Sequence, residues 1–366
     1  MRALPFLALL LAGCPTKGDP AESLERVDLG SFTTDTGFGA DVPVEVPEDA
    51  VSSLVYCGPY GYDTLATAEK VTAPDGSVVF DLTDPEATPF RIGVQDDFLP
   101  MLLPVSPDLP LVPGAYTWRV YVDSAAPVTI SCGVMFRTSE PAAAQKVDVH
   151  LIFVGVEAES GLNATAADEN AVLTAALERV DQLWSAAGLS IGTVTYEDFG
   201  GDVDTYNSVD GDREFGDLLR TANNDDAPVI PVFLVSAITD DDGATILGLA
   251  AGPPGAAATG GNSKGGAVVT VGSVVDGDSD TFARILAHEL LHFMGLFHPI
   301  AKDGSETDPI GDTPSCTNDA DGNGTYSSEE CAGAGAENLM WWAASSSATD
   351  LTADQAWVVN RSGLAY

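Results

Sequence analysis

The sequence predicts an α/β (α+β) region preceded by an all-β, sandwich-like one. Three observations carry this. Residues 44–138 hold short apolar runs separated by Pro, Gly and Asp, with no helical period. Residues 146–366 alternate strand-like runs with helical stripes. Residues 139–145 between them are rich in Pro and Ala and read as a linker.

In the first region the runs Ser53-Leu54-Val55-Tyr56-Cys57, Val78-Val79-Phe80 and Thr129-Ile130-Ser131-Cys132 read as strands, as does the alternating stretch 116–122. Nothing catalytic stands out there, so its expected role is spacer, folding aid or binding module. Residues 14–43 are poor in large apolar side chains and predict a flexible tether. In the second region, 147–154, 189–196, 228–236 and 267–275 predict strands, and 243–266 a glycine-rich loop. A helix is expected over 164–187, where Leu173, Ala176, Leu177, Val180 and Trp184 fall three or four apart and Gly188 closes it. Further helices are expected at 215–222, 281–293 and 352–359.

Fifteen basic residues against 55 acidic ones give a formal charge of −40 over 366 residues. That field repels phosphate backbones, which excludes nucleic acid and anionic membrane surfaces as partners and favours cations, calcium above all. Most aspartates lie in short polar loops and read as solvated turns.

Arg2 followed by an apolar stretch over 4–12 reads as an export signal, residues 1–13. It is too short for a bilayer, which takes roughly 20 residues. Leu11-Ala12-Gly13-Cys14 resembles the lipobox of bacterial lipoproteins, which implies acylation at Cys14 and a cell-envelope location, on the outer membrane or cell surface. Membrane contact would then run only through that lipid; an ordinary signal peptide and secretion are the alternative. Cys57, Cys132, Cys316 and Cys331 remain, an even number that in an exported chain reads as disulfides with three possible pairings. Proximity favours Cys57–Cys132 and Cys316–Cys331.

Three of the four histidines fall in His288-Glu289-Leu290-Leu291-His292-Phe293-Met294-Gly295-Leu296-Phe297-His298. On a helix, His288 and His292 emerge from one face a turn apart, the spacing for one zinc ion. Gly295 can end the helix and let His298 return as a third ligand. Three neutral ligands leave a fourth position open, which marks a catalytic site. Glu289 is placed as general base, taking a proton from water beside the metal and giving it to a leaving amine. The fourth histidine, His150, reads as a packed or surface residue.

The eleven-residue pattern resembles the metzincin metalloproteases. Met340, in Glu337-Asn338-Leu339-Met340-Trp341-Trp342, matches that family's methionine turn, and Asp308-Pro309-Ile310-Gly311-Asp312-Thr313-Pro314 resembles the segment that follows the zinc motif in pappalysin-like members. Cys316 and Cys331 are placed like that group's cysteines. The resemblance covers about 280–345 closely and 146–279 only in architecture. It implies a twisted mixed sheet with two main helices, whose edge strand, here 267–271, binds extended substrate by strand addition. Trp342 stands where several metzincins have a tyrosine at the oxyanion, so zinc acts there alone or another residue such as Tyr326 helps. No clear inhibitory cysteine precedes the region; Cys57 as a latent zinc ligand competes with its pairing to Cys132.

Residues 319–330 fit the twelve-residue calcium loop. Asp319, Asp321 and Asn323 offer side chains, Thr325 its carbonyl, Ser327 a direct or water-mediated oxygen, and Glu330 a bidentate carboxylate, with Gly324 at the sharp turn. A solvated acidic turn stapled by Cys316 and Cys331 is the alternative. Asp308, Asp312 and Thr313 form a further calcium candidate that the pappalysin likeness suggests. The expected protein is thus a monomeric zinc endopeptidase acting on peptide or protein substrates. The alternative is a non-catalytic envelope binding or structural protein on the same scaffold, which would have no need of Glu289.

Overall fold

Alternation of buried and exposed side chains builds the front of the molecule. In the computed structural model, which describes residues 24–35, 39–58, 64–84, 90–92, 95–222 and 228–366, nine strands come first. The export signal 1–13 and Cys14 lie outside these residues. Strands β1 (Leu24–Thr33), β2 (Gly39–Val46), β3 (Ser52–Gly58), β4 (Leu65–Thr72), β5 (Val78–Asp81), β6 (Gln95–Asp96), β7 (Leu99–Leu103), β8 (Gly114–Val122) and β9 (Thr129–Arg137) form two antiparallel sheets. One runs β1-β9-β3-β7; the other runs β2-β8-β4-β5, with β6 also on β4. Val42, Val44, Trp118 and Val120 of one sheet share an apolar cluster with Val55, Met101 and Val134 of the other.

One expectation changes here. The tether predicted over 14–43 gives way by Leu24 to strand: β1 pairs with β9 from Leu24↔Arg137 to Thr33↔Thr129. Backbone hydrogen bonds hold β1, and its apolar residues Leu24, Val27, Leu29 and Phe32 are only half-buried and spaced three, two and three apart, so they lack the alternation that signals a core strand. The Cys57–Cys132 disulfide joins direct register partners on the adjacent strands β3 and β9.

The chain then forms β10 (Gln145–Phe153), α1 (Glu157–Ser160), α2 (Ala171–Trp184), β11 (Leu189–Asp198), α3 (Val203–Tyr206), β12 (Ser208–Asp210) and α4 (Gly211–Leu219). After these come β13 (Val229–Val235), β14 (Ala237–Thr239), β15 (Thr245–Ile246), β16 (Gly248–Ala250), β17 (Ala267–Thr270), α5 (Gly272–Val275), α6 (Ser279–Phe293) and α7 (Ala353–Val359). The main sheet has the order β11-β10-β13-β17-β16, parallel except for β16, and β12, β14 and β15 make a small second sheet. This is a mixed α/β architecture behind an all-β one. Asn170 caps α2, accepting from the N–H groups of Val172 and Leu173, and α2 packs against α6. The helix expected over 215–222 begins earlier, at Gly211, because its polar first turn gives no apolar stripe to read.

The edge strand is also corrected. Residues 267–270 sit inside the sheet, between β13 and β16, and the free edge is β16. Three residues, the first a glycine, are too short to show a strand period, so this edge reads as loop in the sequence.

The two regions share one core. Trp118, Leu102 and Met135 belong to the same apolar cluster as Phe293, Met294 and Leu364. Arg137, 3 % exposed, donates to the carbonyls of Asn360 and Ser362 at 2.5 and 3.0 Å. Asp97 and Arg220 pair across the same junction at 2.6 Å. Among the described residues no helix is long and apolar enough to cross a membrane.

Candidate metal centre

Helix α6 buries Phe282, Ile285, Leu286, Leu290, Leu291 and Phe293, and this fixes its rotation. His288 and His292 therefore emerge on the remaining face. The chain leaves the helix through Gly295, whose φ of +112° is closed to most side chains. This turn brings His298 back, with its Nε2 3.2 Å from that of His288 and 2.9 Å from that of His292.

Two backbone carbonyls orient the rings. The Nδ1–H of His288 donates to Leu339 O at 2.7 Å, and that of His292 to Leu296 O at 2.6 Å. A carbonyl only accepts, so each of these rings carries its proton on Nδ1 and turns a bare Nε2 lone pair inward. Burial drives all three pKa values down, His298 to about 3, so the rings are neutral. Lone pairs that converge this closely repel one another unless a cation sits among them, and three neutral imidazole nitrogens suit zinc. The donor set fits the ion.

Glu289 is 7 % exposed and accepts from the Ala250 N–H of the edge strand. Burial pushes its pKa up to about 8. Its carboxylate lies against Gly248, where an added Cβ would stand 2.7 Å from Oε1. The trio and Glu289 open into a cleft of 410 Å³ walled by β16, Phe297, Trp342, Arg91 and Glu306.

Met340 is fully buried, and its N–H donates to Asn338 Oδ1 at 2.8 Å. Asn338 in turn exchanges two hydrogen bonds with Gln355 of α7, so that helix holds the turn whose carbonyl orients His288. Trp342 faces the cleft but donates its Nε1–H to the Tyr326 carbonyl at 2.9 Å, which occupies the only polar hydrogen of its side chain. Tyr326 packs its ring against Gly304 and does not line the cleft. Neither is placed to donate to an oxyanion.

The second candidate lies outside the cleft. Carboxylate oxygens of Asp319, Asp321 and Glu330 come within 4.8 Å of one another. They are already occupied: Glu330 accepts from the N–H groups of Ala320, Asp321 and Ser327, and Asp319 from those of Asn323 and Gly324. The Asn323 side chain accepts from Thr325 N–H, and the Ser327 hydroxyl donates to Glu330. Cys316 and Cys331 are bonded beneath the loop. Asp308 and Thr313 meet at 2.6 Å, while Asp312 turns away to accept from Asp354 N–H of α7. His150 pairs with Thr195 and Glu197 beside β11, away from the cleft.

With this geometry in view, comparison with known proteins adds a distant likeness. The chain is structurally similar to metalloproteinase-II from Bacteroides fragilis: 15 % identity, TM-score 0.33, 64 % of this chain and 63 % of that one. It thus spans less than two thirds of that protein. A zinc-dependent peptidase from Methanocorpusculum labreanum matches at 13 % identity and TM-score 0.24, over 41 % of this chain and 82 % of that one. A chain of Triatoma virus matches at 12 % and 0.23, over 38 % and 74 %. No family model matches, and no curated protein does. Likeness of this size leaves function to be argued from the residues.

Several participants have no signature in the sequence. The carbonyls of Leu296 and Leu339 are backbone atoms that any residue supplies. Gly248 and Ala250 lie in the misread loop, and Arg91 comes from a region without visible chemistry.

Proposed function

We propose that this chain is a zinc-dependent endopeptidase of metzincin type, with its nearest affinity to the pappalysin-like group. The convergence of three Nε2 lone pairs beside a buried carboxylate carries the reading. Intact Glu289 favours catalysis over a binding scaffold, because a structural metal site has no use for an acid there.

Zinc, when bound, supplies a Lewis acid to water and to the scissile carbonyl. The chain's own residues do the rest. Glu289, held by the Ala250 N–H, accepts a proton at its carboxylate and returns it to the departing amine. Burial raises the pKa of this carboxyl and a cation held by the histidines would draw it back down, so the group can take a proton and give it up again. The carbonyls of Leu296 and Leu339 keep two imidazoles in the tautomer that faces inward. The free edge of β16 offers backbone partners to an extended peptide, and Phe297 and Trp342 screen the cleft from water.

In this reading the protein is a monomer of the bacterial cell envelope, lipid-anchored through Cys14 or secreted, and calcium in loop 319–330 braces the wall before Met340. Casein or gelatin cleavage by purified protein, with and without a zinc chelator and beside Glu289→Gln, tests the function. Chelator-sensitive cleavage that the variant lacks supports it. Equal cleavage by both proteins, or by neither, overturns it.

A further inference from the structure

Nothing in the sequence gives the β-rich region a part in chemistry, yet two of its side chains reach the turn that delivers the third histidine. Leu102 of β7 lies on Gly295, so closely that a Cβ there would stand 2.4 Å from its Cδ2. Gly295 is the left-handed residue between His292 and His298, and Leu102 is packed in the shared core with Met294 and Leu296. Arg91, between β5 and β7, reaches the other side. Its guanidinium lies 4.9 Å from the Phe297 ring centroid and donates to the Thr307 carbonyl and the Glu306 carboxylate. Residues 300–307 fold back on themselves through an Ile300↔Thr307 bridge and an Ala301 N–H to Glu306 O bond of 2.8 Å. His298 is thus gripped from before, at 295 and 297, and from behind, at 306–307.

We propose that Arg91 and Leu102 are positioning residues for the third zinc ligand, and that the β-rich region is therefore a permanent part of the working peptidase and not a removable pro-segment. This rests on reading the histidine trio as a zinc centre. Two of the three ligands share one rigid helix. The third depends on a turn, and an ion held by three nitrogens feels any loosening of that turn directly. Residues that orient metal ligands typically carry about 10–100-fold in metal affinity. Glu306 pairs with the guanidinium, which offsets part of its charge beside His298. Arg91 also lies over an aromatic face and donates in two directions, which a lysine does only in part.

The test is zinc affinity of the full-length protein, measured by competition with a chromophoric chelator, with thermal melting of the metal-free form alongside. Arg91→Ala should raise the zinc dissociation constant about 10-fold or more while the metal-free melt stays near wild type, and Arg91→Lys should recover part of the loss. Leu102→Ala should weaken zinc similarly, and volume-matched Leu102→Met should restore it. If Arg91→Ala binds zinc as tightly as wild type, the brace is overturned. If wild type itself holds no zinc, the metal-centre reading falls as well, so the two failures are told apart.

Discussion

The histidine trio and the acidic loop 319–330 are both cation candidates, and they differ in what satisfies their donor atoms. In the trio the outer ring nitrogens of His288 and His292 are taken by carbonyls, and the inner ones face each other with no proton between them. In the loop, Asp319 and Glu330 are half-buried and accept from the loop's own N–H groups. Hydrogen bonds from Ser327 hold the Glu330 carboxyl below its ordinary pKa without any ion. A site whose buried donors conflict when empty makes its ion part of the fold. A site that satisfies itself gains only the difference between its own hydrogen bonds and the ion.

The sharpest way to break this contrast is to change what the trio serves and leave the trio alone. Glu289→Gln should lower kcat/KM by about 10²–10⁴-fold with zinc content unchanged, read by peptide hydrolysis and metal analysis. Activity within tenfold of wild type would remove Glu289 from the chemistry. Gly248→Ala should come next. Its Cβ would crowd the Glu289 carboxylate and Ile285 at 2.7–2.8 Å, so kcat should drop about 10²-fold while zinc binding holds.

Asp308 is an intermediate case that sharpens the comparison. It is 8 % exposed; its Oδ1 accepts from Thr313 and Ile310, and its buried Oδ2 has no hydrogen-bond partner among the described residues. Burial raises its pKa from 3.8 to about 7. As pH rises from about 4 to 7 the unfolded chain releases this proton while the fold retains it, so the Asp308 contribution to stability falls through that window and levels off above it. Asp308→Asn removes the slope. In urea melts its stability relative to wild type should improve between pH 4.5 and 7 by about 1–4 kcal/mol. A constant difference across those pH values would show that the carboxyl titrates normally.

The smallest effect belongs to the loop. Millimolar calcium should raise the Tm of the zinc-loaded protein by about 2–4 °C, and Glu330→Gln should abolish the shift. No shift in wild type would make 319–330 a solvated turn.

The sequence shows most clearly what depends on side-chain type at a fixed spacing. His288, His292 and His298 could be named because only a helix and a glycine turn were needed to bring them together, and α2, α6 and α7 because their apolar stripes are regular. Strand β1 reads as tether because its half-buried Leu24, Val27, Leu29 and Phe32 are spaced three, two and three apart and not in the alternation of a strand. Strand β16 was read as loop because it spans three residues, and the error moved the expected edge one strand inward. Arg91 and Leu102 are illegible for a topological reason: each lies about 200 residues from the turn it touches.

The Leu339 carbonyl bears on how this turn is recognised elsewhere. What reaches the first imidazole is a backbone oxygen, while the methionine side chain next to it fills a sealed socket. The thioether is then a spacer, chosen for bulk and pliancy and not for sulfur chemistry. Leucine should serve at 340 nearly as well, and kindred proteins are better sought by the path of the chain behind the first ligand than by the letter M.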